Sequence, residues 1–178
     1  AVPREAGPEP APPPAPTLHD AITLVTGPLS LGAPLPAPEN VAELFETLKP
    51  EIELAASHGC RIAIENHSGA ILNSPESFRA FLDINPSPDR VGIALAPYHL
   101  QKCGFSVEET IRLCGAQTWF VYAWQHATDV APLPGHGPAD FRPWIGALRE
   151  IGYRGFLSPF MHGELDGATM ESAVGKAC

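Results

Sequence analysis

The sequence is short of positive charge. Lys and Arg number 11 against 20 Asp and Glu, a formal net charge of -9. Nucleic acids and anionic membrane surfaces select basic patches, so this balance argues against both as partners. Long apolar runs are missing too: none approaches the ~18 residues of a membrane span. The opening residues do not read as a signal peptide, because no basic segment precedes an apolar one. There are only 4 cysteines, at positions 60, 103, 114 and 178, with no C-x-x-C pair and no zinc-finger spacing to His. They are expected as reduced, mostly buried thiols of a cytoplasmic protein. A Gly-rich phosphate loop and a nucleophile elbow are both missing, so neither nucleotide hydrolysis nor serine-hydrolase chemistry has its motif.

What is present suits a globular α/β protein: 178 residues, 44% hydrophobic and 17% charged. Proline is unevenly spread. Residues 1–17 hold 7 of the 21 prolines, and proline fits neither a helix interior nor a central strand. That stretch reads as a disordered Pro/Ala-rich lead-in, and residues 18–178 as the folded domain. Within it, β-rich runs at 21–26, 61–66, 91–96, 118–124 and 155–160 alternate with helical patterns. Val41, Leu44, Phe45, Leu48, Ile52 and Ala55 share one helix face, with a kink or break expected at Pro50. Ser74 with Pro75, and Ser106 with Glu108 and Glu109, read as helix starts. Strict alternation implies a parallel sheet in sequential order with right-handed crossovers.

The chain is organised around Ile62-Ala63-Ile64-Glu65-Asn66-His67. This short apolar run reads as a buried parallel strand that ends in an acid, an amide and an imidazole. In α/β folds ligands bind beyond the carboxyl ends of strands. His recurs there in the last four strands or just after them, as His67, His99, His126 and His162. Trp119, Phe120, Tyr122 and Trp124 make one strand unusually aromatic. They are expected mainly as core filling, although one face could stack on a sugar ring.

Several phrases resemble the xylose-isomerase-like TIM barrels, the sugar phosphate isomerases and epimerases. They are Ile-Ala-Ile-Glu-Asn-His at 62–67, Val-Gly-Ile-Ala-Leu at 91–95 leading to His99, Gly135-His136-Gly137 before Asp140-Phe141, and Ala147 to Gly155. The resemblance implies a parallel (β/α)8 TIM barrel. About five of its eight strand-helix units have counterparts here, and a full barrel usually needs ~250 residues. The chain is therefore expected to be a partial barrel, the C-terminal portion of a longer protein. Five strands should leave an open edge at 21–26, through which the chain is expected to self-associate.

The resemblance also implies a small carbohydrate as partner, proton transfer as chemistry, and a divalent metal (Mn, Mg, Zn or Co) as cofactor. Carried over residue by residue, Glu65 matches a metal ligand and the catalytic acid. The next family ligand, an Asp, falls on Ala96. Tyr122 stands where a ligand His is usual, and Gln125 where an Asp is. The last ligand falls near Pro159 or Phe160, with His162 the nearest polar group. Losing carboxylates should cripple an Mg²⁺ or Mn²⁺ site. Two readings stay open. One is a metal-free or non-catalytic carbohydrate site built on Glu65, His67, His99, Gln125 and His162. The other is a nitrogen-rich zinc site formed by Glu65 with some of His67, His99, His126 and His162.

Overall fold

The structure is a computed structural model that describes residues 22–24, 38–126, 134 and 137–160, with backbone alone for 22–24, 38 and 39. The lead-in over 1–17, His19, His136, His162 and the tail fall outside the described residues. Five strands form one sheet: β1 (Ile22–Leu24), β2 (Ile62–Glu65), β3 (Val91–Leu95), β4 (Thr118–Ala123) and β5 (Phe156–Pro159). Every neighbouring pair is parallel and the order is β1-β2-β3-β4-β5. The sequence expectation of sequential parallel strands holds, and the partial barrel is the architecture that this sheet represents. Among the described residues β1 and β5 each pair with one strand, so the sheet is not closed.

Five helices connect and flank the strands: α1 (Pro38–Ser57), α2 (Pro75–Ile84), α3 (Pro97–Lys102), α4 (Val107–Cys114) and α5 (Arg142–Glu150). Their starts follow the sequence signals. Ser74 caps α2 in a reciprocal box with Ser77, and Pro75 takes the first turn, where its missing N–H costs nothing. Ser106 accepts from Glu109 N at the start of α4, with Glu108 and Glu109 favoured by the helix dipole. Two expectations need correction. Pro50 does not divide α1 into two helices. Val41, Leu44, Phe45, Ile52 and Ala55 are buried along its length, and this packing outweighs one lost backbone hydrogen bond. The residues after β3, read as a strand exit, form α3, because Pro97 pre-sets a first helical turn.

The core lies between sheet and helices. Ile62, Ile64, Val91, Ile93, Leu95 and Val121 pack with Phe45, Phe78, Phe81, Ile111, Trp144 and Leu148. Alternation along a strand sends the next residues to the other, concave side. Register places Ala63 beside Gly92, Glu65 beside Ala94, and Ala94 beside Phe120. One irregularity departs from simple alternation. Ile93 pairs with Thr118 but Ala94 pairs with Phe120, so Trp119 is unopposed in a β-bulge. Its ring lies against Gly92, where any Cβ would collide with it, and Arg61 stacks over it 4.5 Å from the ring centroid. This closes the amino end of the concave side and leaves the carboxyl end for chemistry. Of the cysteines described, Cys114 is buried, Cys60 half-buried and Cys103 exposed; all three are free thiols. The expectation of mostly buried thiols therefore holds for Cys114 alone. No helix among the described residues is long and apolar enough to cross a membrane.

Candidate functional site

Glu65 is the last residue of β2 and faces the concave side, 8% exposed. A carboxylate this buried needs partners. One comes from two strands away: the Tyr122 hydroxyl donates to Glu65 Oε2 at 2.9 Å. Burial first, and then the negative charge of Glu65 and the hydrogen bond to it, push the Tyr122 phenol far above the ordinary range. It therefore keeps its proton and remains a donor.

Asn66 follows Glu65 and is fully buried. Its amide grips the exit of β3 at both ends. Ala96 N donates to Asn66 Oδ1 at 2.7 Å, and Asn66 Nδ2 donates to Ala96 O at 3.1 Å. A carboxamide matches a peptide group in this two-point arrangement, so Asn66 prolongs the β2–β3 ladder by one rung. That rung fixes where β3 turns into α3, and hence where His99 stands.

His99 lies on α3, 4% exposed, and meets His67 from the β2 exit with ring centroids 3.9 Å apart. Ser68 joins them. His67 Nδ1 lies 2.9 Å from Ser68 O, and a carbonyl only accepts, so Nδ1 carries the proton. Ser68 Oγ lies 3.2 Å from His99 Nδ1. His67 and His99 thus meet just beyond the strand end that carries Glu65. Beyond them is an aromatic wall. Tyr98 stacks on Trp124 with centroids 4.1 Å apart and rings 8° from parallel. His99 meets Trp124 edge-on, His126 meets Tyr98 edge-on, and Phe160 contacts both Tyr122 and Trp124.

Gln125 sits differently from its neighbours. It is fully buried, and Ala139 N donates to its Oε1 at 3.0 Å. A Cβ at Gly137 would collide with its amide. Gln125 thereby braces residues 137–139 against the end of β4. His126 N donates to Gln101 Oε1 at 2.9 Å, which ties the same strand end to α3.

The sequence pointed to Glu65, His67, His99, Gln125 and His162. His67 and His99 are in contact, Glu65 stands two residues before His67 and pairs with Tyr122, Gln125 acts as a brace, and His162 lies outside the described residues. The bracing role of Asn66 was not anticipated, nor was the stack on Tyr98. Asn66 stood inside the Glu-Asn-His phrase, and Tyr98 stood one residue before His99; adjacency was the only signal either gave.

Among the described residues no group of three His, Cys, Asp or Glu side chains is placed to hold an ion. Ala96 offers no donor, and the phenol of Tyr122 keeps its proton against Glu65. The described donors alone do not fit a resident divalent metal.

The sequence matches the xylose isomerase-like TIM barrel family over residues 18–173. The chain belongs to that family. Solved structures agree on the fold. A D-tagatose 3-epimerase-like protein superposes with a TM-score of 0.66 at 22% identity, over 89% of this chain and 61% of its own. The IolI protein, whose structure carries a zinc atom, gives 0.69 at 21% identity over 89% of this chain and 60% of its own. An L-ribulose 3-epimerase gives 0.64 at 21% identity over 88% and 53%. The chain thus spans between about half and two thirds of the length of these xylose isomerase-like relatives. A comparison with curated proteins gives no match.

Proposed function

We propose that the carboxyl end of the concave face binds a small carbohydrate and that Glu65 moves a proton on it, as a sugar or sugar-phosphate isomerase or epimerase does. The observation that carries this reading is the Tyr122–Glu65 hydrogen bond of 2.9 Å at the end of a buried strand. It holds a carboxylate in place where water is restricted, as a general base requires. The L-ribulose 3-epimerase and the D-tagatose 3-epimerase-like protein among the similar structures support the substrate class. Glu65 would take a proton from the carbon beside a sugar carbonyl. With its Nδ1 proton given to Ser68 O, His67 would accept from a sugar hydroxyl through Nε2, His99 and His162 would hold the other oxygens, and Gln125 would complete the substrate pocket. Returning the proton to the adjacent carbon on the same face needs one base, whereas inversion needs a donor on the opposite face. Glu65 is the one carboxylate at a strand end among the described residues, which favours transfer between adjacent carbons. The three free thiols suit a cytoplasmic location, and the open strand edges suit self-association, which light scattering would reveal.

A second reading is a carbohydrate-binding protein without turnover, or an inactive partial barrel. Pro159 and Phe160 favour it, because they stand where the resemblance puts the second carboxylate that proton-transfer chemistry would use. Proton NMR in deuterated water with D-fructose separates the readings. Exchange of the carbon-bound proton that disappears in Glu65→Gln supports catalysis. Saturable binding without exchange supports the second reading. No saturable binding of any ketose or ketose phosphate removes the carbohydrate reading altogether.

A further inference from the structure

We propose that Tyr122, and not a metal ion, is the resident partner of Glu65, and that the small side chains of β3 are what allow it to be. This deepens the reading of the concave face as the functional site, but it does not depend on the identity of the substrate.

The argument is one of reach. Glu65 lies on β2 and Tyr122 on β4, with β3 between them. Adjacent strands are about 4.8 Å apart, so the two backbones are separated by about 10 Å. A tyrosine hydroxyl spans that distance only by lying across the middle strand. The residues that β3 presents beneath it are Ala94, paired with Glu65 on one side and Phe120 on the other, and Ala96 two positions on. Both alanines are fully buried. Any longer side chain at 96 would meet the phenol, and a carboxylate there would add a like charge beside Glu65. The ring is held along its length by Phe120, at 4.8 Å between centroids, and by Phe160, at 5.3 Å. Alanine at 96 and tyrosine at 122 thus form one device. The first clears the path and the second brings an uncharged donor to the buried carboxylate. With three-donor clusters missing among the described residues, the Glu65 carboxylate is held by a phenol where a cation would otherwise neutralise it.

Tyr122 is a positioning residue in this scheme, and its effect can be read without any sugar. The test uses the full chain, untagged, with Mn²⁺ uptake followed by electron paramagnetic resonance and Zn²⁺ content by elemental analysis. Wild-type protein and Glu65→Gln should take up the same amount of each ion. Stoichiometric uptake by wild type that is lost in Glu65→Gln would overturn the proposal. The pairing is tested separately by a double-mutant cycle on the urea midpoint. Tyr122→Phe should lower the midpoint in wild type and change it at least fivefold less in the Glu65→Leu background, where no acceptor remains for the phenol. An equal shift in both backgrounds would mean that the phenol acts only as filling, and would sink the role assigned to it. Failure of the ketose experiment leaves both readouts intact, so the two ideas fall independently.

Discussion

On the helix-facing side of the sheet, β2, β3 and β4 carry Ile62, Ile64, Val91, Ile93, Leu95 and Val121. On the concave side the same strands carry Ala63, Glu65, Gly92, Ala94, Phe120 and Tyr122. The first set is branched and apolar, and each member is at most 3% exposed. It binds the sheet to its helices by packing, where shape and volume decide. The second set alternates residues with almost no side chain and residues with large or polar ones. Small residues on β3 make room for side chains that arrive from β4: Trp119 over Gly92, and Tyr122 across Ala94 and Ala96. One side spends its volume on the core; the other leaves volume for contacts across strands. Mutations on the two sides should therefore fail in different ways.

The largest effect belongs to the packed side. Ile93 is fully buried between β2 and β4. Ile93→Ala removes three heavy atoms where the surroundings cannot collapse, and should cost about 2–5 kcal/mol. Urea denaturation measures it. A loss below about 1 kcal/mol would mean that the helix-facing core is looser than native packing allows.

The next effect tests the polar end of the concave side. Asn66→Ala leaves the buried N–H of Ala96 without its Asn66 partner and takes one of two bonds from the Ala96 carbonyl, which still accepts from His99 N at 3.2 Å. The orphaned N–H costs about 1–3 kcal/mol, which sets the expected loss. Asn66→Asp should be at least as harmful, because it keeps the acceptor but turns a carboxylate oxygen toward the Ala96 carbonyl. If Asn66→Asp is tolerated, the amide is not the clamp that the geometry describes. Both changes should also disturb His99, whose helix starts at this rung.

Gly92→Ala comes third and isolates the use of small residues. The added methyl meets the Trp119 ring, which must shift away from its stack with Arg61. Overpacking of this kind costs about 1–3 kcal/mol. Combining it with Trp119→Leu should recover most of the loss, because the colliding ring is gone. Absence of recovery would place the strain in the backbone of β3 instead.

These cases also show which features the sequence makes legible. The helix-facing side writes itself into the chain. Ile62, Ile64, Val91, Ile93 and Leu95 come in short apolar runs, and runs of that length between helical patterns imply parallel strands. Strand order and helix starts followed from the same local signals, at Ser74, Pro75 and Ser106. The concave side is legible only at the strand ends and just beyond them, at Glu65 on β2, His67 two residues on, and His99 on the helix after β3. The bulge at Trp119 was not, because Thr118, Trp119 and Phe120 are all good strand residues and the extra position appears only when register with β3 is known. The Asn66 clamp was not, because its partner is a backbone group 30 residues away. The Tyr122 bond depends on which side chain of β4 crosses β3, and alternation alone could not say which carboxylate it would meet. The short helix α3 was hidden by Pro97, which fits a strand exit as well as a first helical turn.

The smallest effect lies where neither side of the sheet is involved and sharpens the contrast with Asn66. At the start of α5, Asp140 accepts from Arg142 N at 3.0 Å and pairs with the Arg142 guanidinium, Nη2 to Oδ2 at 2.7 Å. The side-chain hydrogen bonds from Arg142, then the one from its backbone, lower the Asp140 carboxyl from its ordinary 3.8 to about 2. The native state therefore binds this proton less readily than the unfolded chain does. Its contribution is present above pH ~4 and is lost as the pH falls toward about 2. Both side chains meet solvent, 91% for Arg142 and 48% for Asp140, so water and salt screen the pair. Asp140→Asn should lower the thermal midpoint slightly at pH 5 in low salt and not at all at pH 1.5, and 0.5 M NaCl should erase much of the difference. A midpoint loss at pH 5 as large as that of Asn66→Ala, or one that persists in salt, would show that the exposed clasp is structural. That outcome would break the distinction between polar contacts that hold the strand ends and polar contacts that merely decorate a helix start.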